Sequence, residues 1–160
     1  MKLDPSAFLA NPELIEALKA RSVEVSCGDG YCLFRQGDPP TGLFILNQGE
    51  VTLSMTAPSG ELLLSMPVGP GSLLGLPGLI GNEPYTLTAM ARNGARLSFI
   101  QPDAFNAVML SDPGLALKVL EVLAAEVRSA RHAAQDLRPI APPAHSAHES
   151  SARKSGANAD

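Results

Sequence analysis

LFRQGDPPTGLFILNQGEVTLSM (residues 33–55) and PVGPGSLLGLPGLIG (residues 67–81) decide how this chain folds. Apolar residues come in short runs, broken every few positions by Gly, Pro, Asn or Asp, the texture of a compact all-β unit rather than of helices. Working outward, the same texture covers residues 22–101, with runs at 22–27, 31–36, 42–48, 50–57, 61–68, 72–75, 87–92 and 95–101. About eight strands at this spacing predict a sandwich or roll. Gly28-Asp29-Gly30, Pro58-Ser59-Gly60 and Asn93-Gly94 supply residues that tolerate positive φ in tight connections. Asn93-Gly94 is the strongest hairpin signal among them.

Helical spacing appears only at the flanks. Asn11-Pro12 opens a short amphipathic helix with Leu14, Ile15 and Leu18 on one face. At Pro102 the period returns to 3.6, giving a short helix over 102–111 that Ser111-Asp112-Pro113 breaks. A longer helix, 113–137, carries Ala116, Leu120, Leu123, Val127, Ala130, Ala134 and Leu137 at alternating spacings of four and three. That is a heptad seam, and Leu120, Leu123, Val127, Ala130 and Leu137 are the predicted dimer interface. Residues 139–160, rich in Ala, Ser and Pro, cannot offset their ordering entropy by burial and are expected to be disordered. The predicted architecture is mainly β with flanking helices: one domain, residues 1–138, built as a double-stranded β-helix (a jelly-roll-like β-roll) over 22–101. It has an N-terminal helix, a short helix and a long C-terminal dimerisation helix.

Composition narrows the function classes. Twelve basic against sixteen acidic residues give a net charge of −4, opposite in sign to a nucleic-acid footprint, so direct DNA binding is not expected. The N-terminal stretch lacks the basic-then-apolar pattern of a secretory signal, and no run has the length of a membrane span. The default compartment is therefore cytoplasmic. The two cysteines, Cys27 and Cys32, with every His at 132 or beyond, make a weak metal signal and are read as reduced thiols on facing strands of a hairpin. Residues 22–101 contain no His, which removes a metal-dependent enzyme built inside a roll. No Gly-x-Ser-x-Gly, Walker loop or Cys-His constellation appears, so the chain is read as a non-enzyme without a resident cofactor.

Gly37-Asp38, the strand GLFIL followed by Gln48-Gly49-Glu50-Val51, and Pro70-Gly71-Ser72-Leu73-Leu74-Gly75 stand in an order that resembles the cyclic-nucleotide-binding domain. The likeness is to that domain of the catabolite activator protein and its oxygen-sensing relatives, and it runs from about residue 22 to 137. The resemblance implies a β-roll that takes a small effector and a long helix that dimerises. It further implies a role in signal transduction or transcription regulation. In that family a helix-turn-helix unit follows the long helix; the polar residues after Arg138 do not read as one.

In cyclic-nucleotide binders a Gly-Glu-Leu segment, a short helix and an Arg-Ser or Arg-Thr pair hold the ribose and the cyclic phosphate. The matching stretch here places Gly75, Leu76, Pro77, Gly78, Leu79, Tyr85 and Thr86 as ligand-binding residues. Leu76 stands where the carboxylate belongs and Tyr85 where the guanidinium belongs. A phosphate without its cationic partner loses roughly 1.5–3 kcal/mol per charge-assisted hydrogen bond, so cyclic AMP should bind weakly or not at all. Two readings stay open. In one, Tyr85 and Thr86 hydroxyls, the Gly78–Gly81 backbone and an apolar Leu76 floor hold a different small-molecule effector. In the other, the pocket is degenerate and the fold persists as a protein-interaction or dimerisation module. Arg35 is read as an ion-pair partner, Arg92 and Arg96 as solvated flanks of a hairpin, and His132 as a solvated residue rather than a haem ligand. The family's base-contacting hydroxyl pair falls near Ala130 and Arg131, with Ser129 one step away.

Overall fold

The computed structural model describes residues 2–136. The expected tail at 139–160 and the seam residue Leu137 lie outside them. A single 3-10 turn, Pro5–Phe8, precedes helix α1, Pro12–Lys19. Asn11 caps α1 as its sequence suggests, its side chain accepting the Glu13 N–H at 2.9 Å. Six strands follow: β1 Val23–Ser26, β2 Cys32–Phe34, β3 Leu43–Thr56, β4 Leu62–Val68, β5 Leu73–Leu74 and β6 Thr88–Ile100. Helix α2, Leu76–Gly81, interrupts them between β5 and β6, and α3, Pro102–Ser111, and α4, from Pro113 to Asp136, close the described chain. The antiparallel order is β1-β6-β3-β4, with β2 also paired to β6 and β5 to β3.

Eight expected strands become six because two pairs of runs are continuous. β3 joins 42–48 to 50–57, and β6 joins 87–92 to 95–101. The Asn93-Gly94 hairpin expectation is thereby corrected: both residues have positive φ, 54° and 66°, but they form an irregularity inside β6. Opposite them, the β3–β6 register shifts on either side of Gln48, where β3 bends at Gly49. A Cβ at Gly49 (φ 83°) would lie 2.8 Å from Ala95 Cα and 2.9 Å from Asn93 O, so only glycine fits this crossing. Turn residues mark a bend here instead of a chain reversal, because both strands must curve together to roll the sheet.

The long strands feed two cores through their period of two. Phe44 and Leu46 point into the roll with Phe34, Val51, Leu53 and Leu97. Their neighbours Leu43 and Ile45, with Leu73 and Ile100, meet Leu14 and Leu18 of α1, Phe105 and Val108 of α3, and Leu115, Val119 and Val122 of α4. Fully burying each such Leu, Ile or Val contributes about 1.5–3 kcal/mol, so the second core fixes α4 against the roll.

Cys27 and Cys32 are free thiols, the first buried. They do not face each other across a hairpin, because β1 and β2 pair with opposite ends of β6, at 96–99 and 89–90. Arg35 makes no side-chain ion pair among the described residues; its backbone N–H donates to Asp38 Oδ2 at 3.3 Å instead. The ion pair present there joins Lys118 and Glu13, linking α4 to α1. No helix is long and apolar enough to cross a membrane among the described residues.

Candidate functional site

A cavity of about 310 Å³ lies between the roll and α4. Phe34, Leu53, Met55, Leu74 and Leu87 form its roll wall, and Leu3 and Phe8 of the N-terminal segment form a side. Gly75, Pro77, Gly78, Tyr85 and Thr86 supply the rim around α2. Helix α4 closes it with Glu126, Val127, Ser129 and Ala130.

Tyr85 organises the rim. Its ring stacks on Phe34 with centroids 4.1 Å apart, and the residue is 4% exposed. Its hydroxyl accepts the N–H of Thr41 at 2.9 Å and that of Gly42 at 3.4 Å, and donates to Gly42 O at 3.1 Å. Its backbone is paired as well, with N–H donated to Asp38 O and C=O accepting from Gly37 N–H. Gly75 permits this packing: it sits at φ 92°, and a Cβ there would lie 2.9 Å from Tyr85 Cε1. The expectation that Tyr85 offers its hydroxyl to a ligand is therefore corrected. The ring lines the cavity, while the hydroxyl ties the 41–42 loop to the roll.

Two further expectations are corrected. Leu76 is fully buried and packs in the second core with Leu14 and Leu73, and Leu79 packs against that same core; neither lines the cavity. Both sit on the face of α2 turned toward α1 and α3, so the apolar floor comes from β-strand leucines. Leu79 N–H, in the stretch of backbone donors expected at Gly78–Gly81, is bonded to Gly75 O within the helix. Gly75, Pro77, Gly78 and Thr86 do lie on the cavity, Thr86 exposed.

On α4 the predicted seam is the outward stripe. Leu120 is 56% exposed and Val127 49%, and Ala130 and Ala134 are exposed as well. Leu123 differs: it is half-buried against the second core. The stripe that packs on the protein runs one residue earlier, Leu115, Val119, Val122, Glu126, Ser129 and Ala133, again at spacings of four and three. Five of these are small or apolar. Glu126 is the exception, and sequence reasoning missed it; a lone carboxylate on a stripe otherwise fit for burial was the available signal. Its Oε1 is cut off from solvent and has no hydrogen-bond partner. Burial holds its carboxyl well above the usual carboxylate range, pushed up to about 8. Ser129, next along the stripe, accepts the Asp4 N–H at 2.7 Å and so clamps the N-terminal segment onto α4. Among the described residues no Lys, Arg or His lines the cavity; Arg128, His132 and Lys2 line an adjacent groove with Asp4.

The sequence profile of the cyclic nucleotide-binding domain matches residues 24–112. The chain belongs to the cyclic nucleotide-binding domain family. A CRP-like cAMP-activated global transcriptional regulator of Mycobacterium tuberculosis is 27% identical over 126 residues, covering 79% of this chain and 56% of that protein. The chain thus spans about half the length of this curated relative. Among solved structures, the Thermus thermophilus catabolite activator protein superposes with TM-score 0.70 at 23% identity, covering 84% of this chain and 63% of that one. The N-terminal domain of a Streptomyces coelicolor A3(2) transcriptional regulator superposes with TM-score 0.60 at 27% identity, covering 81% and 90%. The β-roll with flanking helices is the fold these relatives share.

Proposed function

We propose that this chain is a sensor module whose effector is a small, largely apolar molecule held between the roll and α4, and that cyclic AMP is not that effector. The observation that carries this reading is the lining of the cavity. It is built largely of leucines, aromatics, glycines and a methionine, and among the described residues its acid is Glu126, with no basic side chain beside it. A cyclic phosphate placed there would meet no cation and would face a carboxyl group, reversing the electrostatics such an anion needs. A cavity of about 310 Å³ with apolar walls and few polar groups suits a compact organic ligand.

The signal would leave through α4, whose exposed stripe holds Leu120 and also Val127, which lines the cavity as well. Pairing of two copies along that stripe would let occupancy of the cavity bias how two protomers sit together. We assign no catalytic step and no direct DNA contact to this module, and a cytoplasmic site of action.

Titration calorimetry of the full chain with cyclic AMP and cyclic GMP tests the first half: the reading expects dissociation constants no tighter than about 1 mM, where binding is worth only about 4 kcal/mol. A micromolar constant for either nucleotide refutes it. A thermal-shift screen of uncharged and basic aromatic or aliphatic compounds tests the second half, since a ligand at 100 times its dissociation constant stabilises by about 2.7 kcal/mol. If no compound of any charge type binds, the fold acts as an interaction module without an effector.

A further inference from the structure

We propose, resting on the pocket reading above, that Glu126 selects an effector bearing a basic nitrogen, an ammonium or amidinium head on an apolar body. The argument starts from what the cavity already satisfies. Tyr85 directs its hydroxyl to the 41–42 loop, and Ser129 takes the Asp4 N–H. Thr86 is exposed. Glu126 Oε1 alone is buried, on the cavity wall and without a donor. Buried acceptors are nearly always paired in folded proteins, so an orphan oxygen on a carboxyl that lines a ligand-sized cavity calls for a donor, and one that arrives with the ligand can supply it.

The charge of that donor follows from the neighbours. Among the described residues that line the cavity, Tyr85 is the other titratable group, and no Lys, Arg or His is present. Of the basic side chains nearest along α4, Arg128 and His132 face the adjacent groove with Lys2 and Asp4, and Arg131 is exposed and not on the cavity lining. Nothing in the cavity therefore compensates an ionised Glu126, and its carboxyl stays protonated up to about pH 8. A neutral hydroxyl would pair with the oxygen but leave the charge uncompensated on ionisation. A protonated nitrogen does both, through a charge-assisted hydrogen bond in a cavity with mostly apolar walls.

Three probes of matched shape separate the possibilities: 2-naphthylmethylamine, 2-naphthalenemethanol and 2-naphthoate, titrated calorimetrically into the full chain. The wild type should bind the amine at least about tenfold more tightly than the alcohol, as a charge-assisted bond replaces a neutral one. Glu126→Gln should bring the two within about twofold while leaving the alcohol unchanged. Without any variant, amine affinity should rise about 50-fold between pH 6 and pH 8, because the ligand binds the ionised carboxyl and must drive off its proton at the lower pH. Equal binding of amine and alcohol by the wild type, tightest binding of naphthoate, a flat pH profile, or a preference that survives in Glu126→Gln each overturns the assignment while the pocket reading stands. If none of the three probes binds, the pocket reading itself fails and takes this inference with it.

Discussion

Replacing Glu126 by Gln should stabilise the protein at neutral pH and do little at pH 5. The carboxyl titrates near 4.5 in an unfolded chain and near 8 in the folded one. Its folded value is raised, so the proton is held more tightly by the native state. Below pH 4.5 both states are protonated and the group costs nothing. Between 4.5 and 8 the unfolded state ionises while the folded state does not, and stability falls by up to about 1.4 kcal/mol per pH unit. Integrating from pH 5 to pH 7.5 gives a loss of about 3 kcal/mol in the wild type from this group, to order of magnitude. Gln has the same shape and does not titrate, so the variant escapes that loss. All other carboxylates are common to both proteins and cancel. The assay is urea unfolding of wild type and variant at pH 5.0 and pH 7.5, compared as a double difference. The variant's advantage should grow by about 2–3 kcal/mol between the two, roughly 4–12 °C in melting temperature for a domain of this size. A double difference below about 0.5 kcal/mol would show that water or a protein donor reaches the carboxyl in solution, and the account of Glu126 as an orphan acid would be wrong.

Three further outcomes follow from the same geometry. Tyr85→Phe leaves the Phe34 stack but strands the Thr41 and Gly42 N–H groups, so urea unfolding should show a loss of about 1–3 kcal/mol; an unchanged midpoint would mean the hydroxyl is free for a ligand after all. The double change Leu76→Glu with Tyr85→Arg, which restores the family's charges, should not restore cyclic AMP binding, because position 76 points into the second core; calorimetry should show no saturation, and circular dichroism should show a protein destabilised by more than about 3 kcal/mol. Leu120→Asp with Val127→Asp should leave a folded monomer by light scattering, while the wild type dimerises at tens of micromolar; a wild-type monomer at that concentration removes the pairing role of α4.

Much of the fold was legible because the roll is built by a local rule. Alternation in LFILNQGEVTLSM fixes which residues point inward, whichever strands they pair with, and the helix boundaries at Asn11-Pro12 and Ser111-Asp112-Pro113 rest on local capping chemistry. The errors came where a local signal had two tertiary meanings. Asn93-Gly94 permits positive φ, and positive φ serves a sharp bend in a long curved strand as well as it serves a hairpin. Leu76 and Leu79 were placed in the pocket by their match to a family position, but an apolar side chain on a short helix turns to the larger apolar surface, here the α1–α3 side. Tyr85 lines the cavity with its ring, but no sequence pattern tells that a loop 44 residues away takes its hydroxyl.

Helix α4 shows most clearly why part of the site stayed hidden. It carries two stripes, each with spacings of four and three, offset by a single residue: 115, 119, 122, 126, 129, 133 and 116, 120, 123, 127, 130, 134. On a helix of 3.6 residues per turn the two lie about 100° apart, so they are neighbouring faces of one cylinder. The outward stripe has the larger unbroken side chains and reads as the seam, while the inward stripe is interrupted by Glu126 and Ser129 and reads as weak. Burial reverses that ranking. The interrupted stripe is the one pressed on the protein, and its two polar residues sit where α4 leaves the second core and passes over the cavity and the N-terminal segment. The outer stripe is left with Leu120 and Val127 half exposed, while Leu123, between the faces, is partly held by the second core. A group bound at Glu126 would therefore lie against the same turn of helix that presents Val127, itself on the cavity wall, to a second copy. Ligand chemistry on the inside and pairing on the outside are in this way coupled through a single turn, with no longer path required.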